Sequence, residues 1–172
     1  MKVCYLLIIL ILLCGCHTPT PDPVKPAESV IVRAGQMYAL VNGQEWRTCG
    51  PVTAPKTFAQ LFVAEYFDMV GAGLCSNTEI YFKIINLQGE GTYFLGDTSS
   101  NYALYWGHNK YYTDATHTGE ITIEQIDSMT NQVEKLPYRV SGTFSFTAIN
   151  EANSDTVFVT KGYFNKIDVY VF

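Results

Sequence analysis

Residues 138–150, YRVSGTFSFTAIN, alternate in character more cleanly than any other stretch of the chain. Val140, Phe144, Phe146 and Ala148 fall on one side, and Ser141, Thr143, Ser145 and Thr147 on the other. Successive side chains of an extended chain point to opposite faces, so this pattern predicts a strand with one buried face and one hydroxyl-bearing face. Gly142 predicts a point where the strand begins or bulges because a side chain would clash.

Working outward, the same period of two recurs. Downstream, residues 156–160 and 163–172 read as two closing strands, separated by Lys161-Gly162, with Gly162 turning the chain into the last one. Ile167, Val169 and Val171 alternate to the end, so the terminus is expected to be paired in a sheet. Upstream, residues 119–127 (GEITIEQID) put Ile121 and Ile123 on one face, and residues 79–86 (EIYFKIIN) read as a strong strand. Residues 91–95 follow the Gly89-Glu90-Gly91 turn, and residues 101–106 and 110–113 flank a turn at Gly107. Residues 36–41 and 44–48 flank Asn42-Gly43, a tight hairpin signal because both residues tolerate positive φ. Trp46, just past that turn, is read as an apolar plug that still uses its N–H. Residues 59–69 fit a helix or a strand and are read as one strand, ended by Gly71 and Gly73. The whole is an all-β reading: an antiparallel β-sandwich or flattened barrel of about 9–10 strands.

Composition agrees. The 172 residues carry 12 Tyr, 10 Phe and 2 Trp, with 11 basic and 16 acidic side chains and a net charge of −5. Disordered chains have few aromatics and many charges. A nucleic-acid binder needs a basic stripe, and none is present. No repeat period points to a solenoid.

The N-terminal end reads as an address. Lys2 precedes the unbroken apolar run 3–14, which is too short to span a bilayer, for which about 20 residues are needed. Leu13-Cys14-Gly15-Cys16 resembles the bacterial lipoprotein cleavage box. That resemblance implies that residues 1–15 are a signal peptide and that Cys16 receives the lipid, palmitate included. Stable anchoring needs two signals, and two or three acyl chains supply them. Residues 17–27, HTPTPDPVKPA, hold four of the seven prolines. Residues 16–28 are therefore expected to form the lipidated Cys and a polyproline stalk of roughly 30 Å, at about 3.1 Å per residue. Residues 29–172 form a single β domain.

The ordered set Val41-Asn42-Gly43 with Trp46, Gly91-Thr92-Tyr93, Gly119-Glu120-Ile121-Thr122-Ile123 with Asp127, Ser141-Gly142-Thr143-Phe144-Ser145-Phe146, and 157–160 with Gly162 and Phe164 resembles a large family of uncharacterised lipoproteins from Bacteroidetes, a domain of unknown function. The likeness runs from about Met37 to the C-terminus. Two features depart from it: Thr160-Lys161-Gly162 stands where the pattern reads Thr-Asn-Gly, and residues 101–117 are unusually rich in Tyr. The resemblance implies an envelope location, with the outer membrane favoured and the face left open, and an all-β fold. It carries no catalytic residues.

Chemistry-bearing patterns are sparse. Cys49 and Cys75 remain once Cys4, Cys14 and Cys16 are assigned to the leader and anchor. An even pair in an oxidising compartment suggests a disulfide worth about 3–4 kcal/mol; two separate buried thiols are the alternative. No Gly-x-Ser-x-Gly elbow is present. His17, His108 and His117 lack a nucleophile signature, and His108, Asp114 and His117 match no zinc spacing. Asp97, Asp114, Glu120, Glu124 and Asp127 are scattered, so a glycosidase pair has no specific support. Gly89-Glu90-Gly91 puts a carboxylate where a phosphate would sit. No cofactor, metal or catalytic residue is assigned.

The unusual stretch is 101–117, NYALYWGHNKYYTDATH. Tyr102, Tyr105, Trp106, His108, Tyr111 and Tyr112 are the candidate binding residues. Sugar C–H faces stack on rings and hydroxyls seek amides and carboxylates. The same ring types dominate protein interfaces, and they also stabilise hairpins as cross-strand pairs. The expected function is a lipid-anchored, non-catalytic binding domain for a glycan or an envelope protein. A lipocalin-like carrier of an apolar ligand and an envelope hydrolase are the alternatives.

Overall fold

The computed structural model describes residues 31–49, 57–62, 66–73, 75, 77–128 and 138–172. The expectations for the signal peptide, Cys16, the stalk and residues 63–65 lie outside them. Among the described residues, eleven strands form one continuous mixed sheet. They are β1 (Gln36–Val41), β2 (Gln44–Arg47), β3 (Thr57–Phe62), β4 (Tyr66–Gly73), β5 (Thr78–Ile85), β6 (Gly91–Leu95), β7 (Tyr102–Trp106), β8 (Lys110–Tyr112), β9 (Gly119–Ser128), β10 (Tyr138–Ile149) and β11 (Thr156–Val171).

The pairing order is β2-β1-β11-β3-β4-β5-β7-β8-β10-β9-β6, with β10 also paired to β11. β10, β11, β3, β4, β5, β7 and β8 therefore close a circuit, which makes the sandwich a flattened barrel. Its interior is filled. Phe82 on β5 meets Phe144 and Phe146 on β10 edge-on, with centroids at 4.9 and 5.8 Å, and Phe144 stacks on Phe164. Phe67, Met69, Ile80, Ile84, Ile121 and Ile167 are buried around them.

The half-buried strand read from residues 138–150 is β10, with the predicted apolar face inside. A Cβ on Gly142 would collide with the Thr122 carbonyl, and the β9–β10 register shifts between Ser141 and Gly142. The Asn42-Gly43 turn has φ of 51° and 79°. Asn42 is also clipped to β11, where its Oδ1 accepts the Phe158 N–H at 2.9 Å.

Three expectations are corrected. Residues 59–69 are not one strand: β3 and β4 lie antiparallel, with Phe62 opposite Tyr66; Gly71 lies inside β4, and Gly73 ends it as expected. Residues 156–171 are one strand and not two. Lys161 and Lys166, each with φ of 50°, are bulge residues, and each resets the phase by one. Val157, Val159, Gly162, Phe164, Ile167 and Val169 consequently all face inward. Gly162 makes no turn; it lies under the Phe144 ring. Finally, the sheet is not wholly antiparallel. The end of β11 runs parallel to β3, Val169 beside Ala59 and Val171 beside Leu61. This pairing holds the C-terminus in the sheet, and the Phe172 N–H reaches the Leu61 carbonyl at 3.1 Å.

Candidate functional site

The β7–β8 hairpin carries the candidate rings, and strand alternation divides them. Ala103 and Thr113 are buried, so Tyr105 and Tyr111 share the core-facing side. Tyr102, Leu104, Trp106 and Tyr112 take the outer side. Thr113 locks the ladder: its Oγ1 accepts the Ala103 N–H at 3.0 Å.

Tyr105 and Tyr111 have ring centroids 6.1 Å apart. Beside them opens a groove of about 510 Å³, within the usual range for small-ligand sites. Its other wall is the β1–β2 hairpin, with Asn42, Gln44, Glu45, Trp46 and Arg47. Trp46 is 5% exposed and reaches across to donate its Nε1–H to Thr78 Oγ1 at 2.8 Å. The reading of Trp46 as a plug that uses its N–H holds. Thr78 also hydrogen-bonds the Tyr105 side chain. Burial pushes the Tyr105 phenol up, and the Thr78 hydroxyl opposes that rise. One hydroxyl thus fixes two rings from opposite walls. At the rim, Arg47 pairs with Glu45 at 3.0 Å. Cys49 and Cys75 also line the groove, joined as a disulfide with Cα atoms 5.9 Å apart.

On the outer face, Tyr102 lies 5.8 Å from Tyr81 and 6.3 Å from Tyr112. The Tyr81 hydroxyl donates to Asp68 Oδ1 at 2.6 Å. Burial raises both groups, and for Tyr81 the nearby carboxylate adds to the effect. Trp106 is 44% exposed, and the Lys110 ammonium stands 4.8 Å from its ring. His108 is exposed in the 107–109 turn.

The scattered carboxylates are held locally. Asp97 accepts from Ser99, Glu124 from Thr143 and Asp127 from Gln125. Asp114 closes a turn by accepting the N–H groups of Thr116 and His117, with the His117 ring at 3.0 Å. Among the described residues, no group of three or more His, Cys, Asp or Glu gathers as a metal site.

Sequence reasoning missed Thr78, Asn42, Gln44, Glu45 and Arg47. Trp46 alone carried a signal, as a large ring with an N–H beside a turn.

Fold and groove define an all-β domain with a surface groove walled in part by aromatic rings. The chain belongs to the family described as Domain of unknown function (DUF6252), which matches residues 69–168. No curated protein and no solved structure matches it. The matched region includes Thr78, Tyr105 and Tyr111, whereas the β1–β2 wall lies outside it.

Proposed function

We propose that this chain is a lipid-anchored protein of the bacterial cell envelope, of the Bacteroidetes lipoprotein kind, that displays a non-catalytic glycan-binding domain. Cys16 carries the acyl chains, residues 17–28 form the stalk, and the outer membrane is the membrane that holds it. One observation carries the binding role: Trp46, Tyr105 and Tyr111 converge on one groove together with Asn42, Gln44, Glu45 and Arg47. Rings supply flat apolar faces for sugar C–H groups, and the amides and charged groups supply donors and acceptors for hydroxyls. The filled interior favours this surface groove over an enclosed site for an apolar ligand.

The test is a binding screen of the mature domain, wild type against Tyr111→Ala, on immobilised envelope and dietary polysaccharides and on an envelope-protein extract. Glycan retention that Tyr111→Ala weakens supports the reading. Retention of protein alone, or glycan retention unchanged by the substitution, overturns it. Lipid mass on the N-terminal Cys16 peptide of membrane-purified protein tests the anchor; an unmodified thiol there rejects it.

A further inference from the structure

A second cavity, of about 150 Å³, adjoins the groove. It is lined by Ala72, Gly73, Asn77, Thr78, Glu79, Trp106 and Gly107. Thr78 lines both cavities, and Gly107 lies between the Thr78 methyl and the Tyr105 ring: a Cβ there would stand 3.3 and 3.7 Å from them. Gly107 of the second cavity therefore stands beside Thr78 and Tyr105 of the groove, and the two cavities meet at Thr78. Trp106, the most exposed ring of the hairpin, lines the second cavity.

The charges along the path are balanced or negative. Arg47 is neutralised by Glu45 at the groove rim. Glu79 adds a carboxylate to the second cavity, and the nearest cation to Trp106, Lys110, is held over the indole. Arg47 against Glu45, and Lys110 against Glu79, leave the path with no net positive charge to attract a polyanion.

We infer that the two cavities are consecutive subsites of one cleft that takes a neutral oligosaccharide, with inner sugars against Tyr105 and Tyr111 and a further sugar on Trp106 and Glu79. This rests on the glycan reading of the groove and adds the length and charge of the ligand. Linked units make the second contact intramolecular, so affinity rises with chain length until both subsites are filled. The Trp106 contact adds only to ligands long enough to cross Thr78.

The experiment is calorimetric titration of the mature domain with neutral ladders, monosaccharide to hexasaccharide, prepared from β-glucan, mannan, xylan and chitin, and with sulfated counterparts. The expected result is an affinity gain of about tenfold or more with length on one ladder. Trp106→Ala and Glu79→Gln, both surface changes, should erase that gain and leave the shortest binding ligand unaffected. Phe94→Ala, remote and exposed, serves as the control for surface substitution. A length gain that survives Trp106→Ala overturns the second subsite while the groove reading stands. Tighter binding of the sulfated ladders overturns the neutral assignment. If no ladder binds the wild type, the glycan reading itself falls, and this inference with it.

Discussion

Trp46 Nε1 donates to Thr78 Oγ1 over 2.8 Å, across 32 residues of sequence. The bond joins β2 to β5, strands that share no pairing partner. It ties the groove's two walls together beside the Cys49–Cys75 disulfide and the isolated backbone bridge between Cys49 and Gly73.

Removing that hydroxyl should cost stability and site order together. Thr78→Val keeps the side-chain shape and strips the acceptor from a nearly buried indole N–H. The expected loss is about 1–2 kcal/mol in urea unfolding. Trp46→Ala also empties a packed volume, and about 3–5 kcal/mol is expected. Equal midpoints for wild type and Thr78→Val would show that the bond contributes nothing to the fold.

The Cys49–Cys75 bridge closes a separation of 26 residues at the same wall. In the loop-entropy account it stabilises by about 3–4 kcal/mol. Reductant, or the double change of Cys49 and Cys75 to Ala, should lower the unfolding free energy in urea by that amount, with a steeper slope because the unlinked denatured chain is more expanded. Alkylation followed by mass measurement checks the premise; two labelled thiols without reductant would remove it.

Gly142 stands where β10 passes the Thr122 carbonyl of β9. The added Cβ would meet the Thr122 backbone, which cannot swing aside, and the Phe164 ring packed in the core. Gly142→Ala should cost about 3 kcal/mol, at the upper end of overpacking effects. A thermal midpoint within about 2 °C of wild type, less than 1 kcal/mol for a domain of this size, would refute the close approach.

How much of this could be read in advance depended on phase. β10 was legible because Phe144 and Phe146 face inward while Ser145 and Thr147 face out. β11 was misread as two strands because the bulges at Lys161 and Lys166 break the period that keeps Val157 to Val169 inside. The hairpin misled differently. Its inward residues include small or polar Ala103 and Thr113, and its outward ones include Tyr102, Leu104 and Trp106. Apolarity therefore pointed to the wrong face, and the aromatic set looked like one surface when it is two. Trp46, Tyr105 and Tyr111 carried signals one by one, but their meeting in one groove could not be read. Residues 41–42, 44–47, 49, 75, 78, 105, 111 and 156–157 come together there only through long-range contacts.

Two aspartates should act on pH stability in opposite directions. The backbone N–H of His117, then that of Thr116, hold the Asp114 carboxyl below its ordinary range. A depressed carboxyl stabilises the fold above its unfolded value, about 3.9, and that contribution is lost as pH falls through the folded value. Asp114→Asn should flatten the acid-side fall of the urea midpoint. Burial raises Asp68 instead, against its hydrogen bond from Tyr81 and the charge of Lys83. Its contribution is full below the unfolded value and is lost as pH rises through the folded one. Asp68→Asn keeps an oxygen for the Tyr81 hydroxyl, so it should be neutral or stabilising at pH 7 and bring no gain at low pH. Parallel shifts for the two variants would contradict the assignment.

The split of the hairpin makes the last prediction. Tyr105 and Tyr111 lie in the groove, and Tyr102 and Tyr112 lie on the opposite face of the same two strands. If the groove is the binding site, Tyr105→Ala and Tyr111→Ala should each weaken glycan binding by about tenfold or more, equivalent to about 1.4 kcal/mol. Tyr112→Ala, which removes a ring from the same hairpin at similar depth, should leave affinity unchanged while costing comparable fold stability. The comparison separates contact from scaffolding, because all three changes disturb one hairpin and only two touch the groove. Titration against the tightest ligand of the screen, with thermal unfolding run on each variant, reads both quantities. Equal losses of affinity for Tyr111→Ala and Tyr112→Ala would mean that the hairpin acts as a support and that the ligand sits elsewhere.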